Sequence, residues 1–154
     1  MRRSTASVAV VVGAVWLFAA ACGDDDDGGG AAEGGEVNVV LSEFIVEPDP
    51  DSADAGEITF VVDNQGGETH EFVVVEAASA DELPVDDDGA FDEAAFGEDN
   101  VLGEIEDVNS GDTQELTLDL EPGDYVLLCN VVEEEDTEVE SHFAEGMHAS
   151  FTVE

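Results

Sequence analysis

Short runs of β-branched and apolar residues recur along the chain after Glu36, and turns that contain Gly or Pro separate them. Their length and composition are those of β-strands, which we predict at 37–46, 57–62, 69–76, 113–120, 125–129 and 148–153. The run at 113–120 alternates polar and apolar residues with period two, as a half-buried strand does. Strands at this spacing predict an all-β fold of the sandwich type.

The stretch 77–110 has a different composition, rich in Ala, Asp and Glu. Its segment 90–96 is predicted to form one or two helical turns that end at Gly97. Phe91 and Phe96 are expected to pack on the edge of the sandwich. Because the stretch holds too few apolar residues for a core of its own, we interpret it as an acidic insertion or surface loop and not as a second domain.

The N-terminus is typical of an export signal. Arg2 and Arg3 precede an apolar run of 14 residues at 8–21, which is too short to span a bilayer comfortably. The following Cys22, preceded by three alanines, resembles the lipidation site of bacterial and archaeal lipoproteins. We predict a removed signal peptide at 1–21, a lipidated Cys22 within a flexible acidic and Gly-rich tether at 22–36, and a folded domain at 37–154. The alternative is ordinary secretion with a chance cysteine.

Acidic residues dominate the composition: 41 Asp and Glu stand against two Arg and no Lys, for a net charge of −39. Both Arg residues lie in the predicted signal peptide, so the folded domain has no Lys or Arg. This excludes nucleic-acid binding by phosphate neutralisation and membrane binding through a polybasic patch. We interpret most of the carboxylates as a halophilic surface, because molar salt shortens the Debye length to about 3 Å and screens self-repulsion.

Four residues of three scarce types suggest a metal site near the C-terminus. Cys129 ends a predicted strand, His142 and Met147 follow it, and His70 lies far upstream at the start of another strand. Two imidazoles, one thiolate and a weak axial thioether form the ligand set of a blue-copper site. Strand ends can meet at one pole of a sandwich, so the four side chains can converge.

The chain resembles the cupredoxins, in the plastocyanin, amicyanin and halocyanin group, over about residues 37–154. The resemblance rests on Asn64 to Gly67 before His70-Glu71-Phe72, on Pro122-Gly123-x-Tyr125, on Cys129-Asn130, and on His142-x4-Met147. It implies a Greek-key β-sandwich that binds one type 1 copper through His70, Cys129, His142 and axial Met147. It also implies that Asn64 supports the site from the turn before His70.

One departure from the family is the segment between Cys129 and His142, which has twelve residues where two to four are usual. Six of the twelve are acidic. A longer loop costs little closure entropy, about 0.6 kcal/mol per doubling, so we interpret it as an insertion beside an intact site. It lacks the ordered carboxylate spacing of a calcium loop. His148 is a rival ligand, but in a strand its side chain would point away from that of Met147.

A site saturated by two His, one Cys and one Met leaves no position for substrate, so we expect outer-sphere electron transfer and no enzymatic activity. Three histidines are too few for a multicopper oxidase or a nitrite reductase. The expected protein is an extracytoplasmic, membrane-anchored, monomeric carrier. Its redox partner would be a basic cytochrome or a membrane oxidoreductase. The alternatives are a copper delivery or storage protein and a metal-free binding lipoprotein.

The charge imbalance predicts that the domain is more stable in molar NaCl than at low ionic strength, because screening weakens repulsion among the carboxylates. Thermal melts at the two salt concentrations measure the difference. A melting temperature that is unchanged or lower in molar salt would contradict the prediction.

Overall fold

The structure is a computed structural model that describes residues 35–135 and 138–154. These residues form eleven strands and one short α-helix: β1 (Glu36–Ser42), β2 (Ile45–Asp49), β3 (Ser52–Ala53), β4 (Gly56–Asn64), β5 (His70–Glu76), α1 (Glu93–Phe96), β6 (Val101–Val108), β7 (Thr113–Leu120), β8 (Gly123–Leu128), β9 (Val132–Glu135), β10 (Glu138–Ser141) and β11 (His148–Val153). Two 3-10 helices flank α1, at Ala80–Glu82 and Glu98–Asn100.

Two mixed sheets pack face to face. One has four strands in the order β2-β1-β4-β7, and the other has five in the order β3-β11-β8-β5-β6. The alternating strands β1 and β4 turn their apolar residues toward the five-stranded sheet, where Phe60 lies 5.5 Å from Phe72 and 5.4 Å from Phe151 between ring centroids. All three rings are almost completely buried. The predicted β-sandwich is therefore confirmed.

The predicted single strand at 37–46 is wrong, because a tight turn at Glu43 and Phe44 divides the run into β1 and β2. Phe44 has a positive φ of 59°, which ends the extended conformation. Strand β2 continues past Pro48 as far as Asp49. Because β2 is at the edge of its sheet, the N–H that Pro48 lacks is not needed by a second neighbour.

The stretch 77–110 is not only a surface loop, since its last part forms β6 and pairs with β5 at the edge of the five-stranded sheet. The predicted helical turn is present as α1, where the Asp92 carboxylate accepts a hydrogen bond from Ala95 N–H at 2.9 Å. Phe91 packs in a second apolar cluster with Val73, Val75 and Leu128 on the outer face of that sheet. The insertion thus covers the sheet that carries β5 and β8.

The acidic segment 130–141 also contains structure that was not predicted. Strands β9 and β10 pair in antiparallel register, with Glu133 opposite Glu140 and Val132 opposite Ser141. We refer to this pair of strands as the acidic hairpin. It ends at Ser141, directly before His142, so it positions that histidine.

The predicted signal peptide, Cys22 and nearly all of the tether lie outside the described residues. Within the part of the chain that the structure describes, no helix has the length and apolar character needed to cross a membrane.

Candidate metal centre

Three predicted ligands meet at one end of the sandwich. The Nδ1 atoms of His70 and His142 are 3.2 Å apart, and Cys129 Sγ lies 3.9 Å from the first and 3.5 Å from the second. All three side chains are 0 % exposed. Residues separated by as many as 72 positions are thus brought together, with both imidazoles turning the same ring nitrogen toward the thiol.

Asn64 shapes the loop that leads to His70. Its side-chain amide donates hydrogen bonds of 2.7 Å to the carbonyls of Glu68 and Val108, and its Oδ1 accepts one of 2.9 Å from Gly66 N–H. Asn64 is 0 % exposed, so these three bonds satisfy its buried amide. The loop 65–69 is therefore fixed to β6 in a shape that places His70 at the first position of β5.

Backbone hydrogen bonds connect the other candidate ligands. Cys129 N–H donates to the carbonyl of Met147 at 3.0 Å, and Met147 N–H donates to that of His142 at 2.9 Å. His142 N–H in turn donates to Val131 O at 3.0 Å. Met147 is 0 % exposed, whereas His148 is exposed and lies with its ring 5.3 Å from that of Phe143. The turn 142–147 is thus tied to the end of β8, with Met147 directed inward and His148 outward.

The separations fit a single metal ion. Two donors that bind one ion at about 2.0–2.3 Å, with tetrahedral or trigonal angles at the metal, are about 3–4 Å from each other. The three donor–donor distances in this site fall in that range. Two nitrogens and a sulfur suit copper or zinc and do not suit calcium or magnesium. The Nε2 atoms of both histidines are buried and have no hydrogen-bond partner among the described residues. The arrangement leaves both Nδ1 atoms directed at the thiol.

Burial sets the protonation of the metal-free site. Desolvation raises the pKa of the Cys129 thiol to about 11, and the hydrogen bond from Glu71 N–H to Sγ opposes that shift. Desolvation also lowers the pKa of His70, and the neighbouring His142 lowers it further. At neutral pH the site therefore holds a neutral thiol and a neutral His70 imidazole. A metal ion that binds the thiolate must displace a proton into solvent.

One aromatic contact and one pair of side-chain amide hydrogen bonds near the site were not predicted. Phe44 presents its ring edge-on to His142, with centroids 5.6 Å apart. Asn130 donates to the carbonyl of Phe91 at 3.0 Å and accepts from its N–H at 2.8 Å, which fastens the insertion 77–110 beside Cys129. Asn130 directly follows the cysteine in sequence, but its partner is 39 residues away, so local spacing carries no signal for the contact.

Glu71 is a third residue whose position was not predicted. Its backbone N–H lies 3.3 Å from Cys129 Sγ and donates to it. Its carboxylate is near those of Glu93 and Glu104, with oxygens within 4.8 Å of one another. Burial, followed by the charges of Glu93, Glu104 and Glu106, raises the pKa of Glu71 to about 7.

Comparison by sequence finds no relatives: no protein-family model matches the chain, and no curated protein does. Comparison by structure finds several. A reduced auracyanin from Roseiflexus castenholzii superposes with a TM-score of 0.58 and 20% identity over 81% of this chain and 99% of that chain. An azurin from Methylomonas sp. strain J gives 0.52 and 15% over 79% and 98%. Auracyanin A of Chloroflexus aurantiacus, described as a "blue" copper protein, gives 0.50 and 18% over 77% and 99%.

These likenesses define the class of fold. The chain has the cupredoxin fold, and nearly the whole length of each of these neighbours is matched. The fold that the sequence resemblance implies is therefore confirmed. At identities of 20% and below, the likeness concerns the fold alone, and the chemistry of the site rests on its own residues.

The raised pKa of Glu71 predicts how Glu71→Gln changes the pH dependence of stability. A carboxyl whose pKa is higher in the folded state, about 7 against 4.5, stabilises fully below the unfolded value and loses that contribution as pH rises through the folded value. The metal-free variant should therefore gain melting temperature relative to wild type at pH 8, and much less at pH 4.

The control for this experiment is Glu115→Gln, which removes the same charge from an exposed position on β7 in the other sheet. An equal gain for both variants at every pH would mean that net charge alone is responsible, and the prediction for Glu71 would be wrong.

Proposed function

We propose that this chain is a mononuclear blue-copper protein that carries single electrons. The observation that carries the proposal is the convergence of two Nδ1 atoms and one thiol sulfur within 3.9 Å of one another, all buried. His70, Cys129 and His142 would hold the ion, and Met147 would supply a weak axial thioether. Copper bound by this set supplies one-electron chemistry between Cu(I) and Cu(II).

The protein's own residues favour electron transfer over catalysis. Burial of the donors excludes water, and the described residues leave no open approach to them for a substrate. Glu71 N–H donates to the sulfur at 3.3 Å and stabilises negative charge on it. The backbone hydrogen bonds between Cys129, Met147 and His142 fix the main chain that carries three of the donors. A fixed site changes little between oxidation states, which suits a carrier and does not suit an enzyme.

A copper-delivery protein is the principal alternative. It would bind Cu(I) and release it to an acceptor, whereas a carrier retains the metal through repeated cycles of reduction and oxidation. The full burial of the donors supports retention. Copper content measured before and after several redox cycles in the presence of a Cu(I) chelator separates the two functions.

Copper-loaded protein should show the intense visible band of thiolate-to-Cu(II) charge transfer, because Cys129 Sγ lies beside both Nδ1 atoms. Cys129→Ser should abolish the band, since an alkoxide or hydroxyl cannot replace the thiolate. Met147→Leu should keep the band and raise the reduction potential, because loss of a weak axial donor destabilises Cu(II). Absorbance titration with Cu(II) and voltammetry in molar NaCl provide the measurements.

The matched control is His148→Ala, which removes the exposed histidine next to Met147 and should leave both band and potential unchanged. Wild-type protein that takes up no Cu(II) under these conditions would defeat the proposed function. A Met147→Leu protein without the band would show that Met147 does more than act as a weak axial ligand.

The location proposed for the carrier is the outer face of the cytoplasmic membrane. The support is sequence alone: an apolar run at 8–21, small residues before Cys22, and a Gly- and Asp-rich segment after it. A diacylated Cys22 with a further acyl chain would anchor the protein stably, which a single chain would not.

Cys22→Ser should release the protein from membranes or block its processing. Fractionation and intact-mass measurement of the mature N-terminus test this expectation. A wild-type mature protein that has an unmodified N-terminus would show secretion without an anchor.

The partner proposed for the carrier is a basic redox protein, such as a basic cytochrome, or a membrane oxidoreductase. The acidic hairpin begins shortly after Cys129 and ends just before His142, so it lies between two ligands in sequence. Glu133 and Glu140 occupy opposed positions in it. Complementary charge would raise the association rate at moderate salt. The protein is expected to act as a monomer.

A further inference from the structure

The three donors of the metal centre are enclosed, so an ion can reach them only if a side chain moves. His70 and Cys129 are the less movable pair. His70 opens β5, which has neighbours on both sides, and Cys129 directly follows β8, which also has two neighbours. His142 lies in the turn between β10 and β11. Its imidazole is therefore the side chain most easily displaced to admit an ion.

A second group of donors lies on the outer side of that imidazole. His142 Nε2 is 3.8 Å from Glu68 Oε2, and donor atoms of Glu68, Glu133 and His142 all lie within 4.8 Å of one another. Glu68 has 42 % of its side chain exposed, so this group reaches solvent, whereas His142 is 0 % exposed. His142 Nε2 has no hydrogen-bond partner among the described residues. It is a buried, unpartnered nitrogen aimed at two carboxylates.

We propose that Glu68, Glu133 and His142 Nε2 form an outer site that binds Cu(II) first and passes it to the inner centre. This inference rests on the proposed function. Two carboxylates and an imidazole suit a divalent ion such as Cu(II), whereas Cu(I) prefers thiolate and thioether ligands. The outer site thus selects the divalent ion at the surface, and the inner site supplies the sulfur ligands.

The two sites use opposite nitrogens of one ring. In the metal-free protein the His70 and His142 Nδ1 atoms are 3.2 Å apart, so one of them carries the hydrogen of a mutual hydrogen bond. When His142 is that donor, its Nε2 has a free lone pair for an ion held by Glu68 and Glu133. Transfer inward requires Nδ1 to lose its hydrogen and Nε2 to gain one from solvent. The Cys129 thiol releases its own proton, and no electron changes hands.

Neutral imidazole cannot serve both sites at once, because one ring nitrogen must carry the hydrogen. The outer site is therefore occupied first, and it is emptied when the ion moves to the inner site. The outer site should affect how quickly the protein is loaded, and not how its copper finally behaves.

Stopped-flow mixing of metal-free protein with Cu(II) chloride in molar NaCl tests the proposal through the growth of the thiolate-to-Cu(II) band. Glu68→Gln/Glu133→Gln should load at least about tenfold more slowly, because it removes two of the three ligands of the outer site, and loss of even a group that only supports a ligand typically costs about 10–100-fold in metal affinity. The final band should match wild type in position and intensity, which also verifies that the variant is folded.

The matched control is Glu140→Gln/Glu145→Gln, which removes the same charge from two exposed positions on either side of His142. This control should load at the wild-type rate. Equal rates for the two double variants would overturn the proposal. So would a shifted reduction potential in Glu68→Gln/Glu133→Gln with an unchanged loading rate, since the acids would then only orient His142. Absence of the band in wild type would defeat the proposed function, a separate outcome.

Discussion

Three buried donors converge on one point at the end of the sandwich, and the loops around them are held in place to make this possible. Two imidazoles and a thiol are 0 % exposed, and both outer Nε2 atoms are unpartnered among the described residues. Such burial of polar groups costs free energy, which a metal ion ligated by the inner nitrogens and the sulfur would offset. Hydrogen bonds in the surrounding loops stabilise this arrangement. Asn64 fixes the approach to His70, and backbone bonds between Cys129 and Met147 join the two later segments.

The identity of the donors could be predicted from the sequence because their residue types are scarce. The chain has three His and two Cys, and one of those Cys has another explanation at the predicted lipidation site. Alternation and turn residues located most strands of the sandwich, including β7 and β11 with their observed bounds. Alternation of polar and apolar residues is a local signal, and it appears only where one face of a strand is buried and the other faces water. Strand β7 meets this condition.

Other elements could not be predicted, for reasons that particular residues make plain. Strand β6 contains Gly103, and glycine is uncommon inside a strand. A Cβ at this position would come within 2.8 Å of Leu118 Cδ2 in the opposite sheet, so any larger residue would require the Leu118 side chain to shift. The acidic hairpin has Glu at most positions of β9 and lacks the apolar alternation of a strand. The turn at Phe44 interrupts a continuous apolar run.

The acidic character of the chain acts differently at the surface and at the site. Molar salt shortens the Debye length to about 3 Å, so steering of a basic partner by the acidic hairpin is weak under the conditions that the composition suggests. Screening acts on charges separated by solvent and has little effect on atoms in contact. Glu68 Oε2 is 3.8 Å from His142 Nε2, close enough for both atoms to be ligands of one ion in the outer site that we propose. The proposed ligand role of Glu68 and Glu133 would therefore persist at a salt concentration that screens most of the long-range attraction to a basic partner.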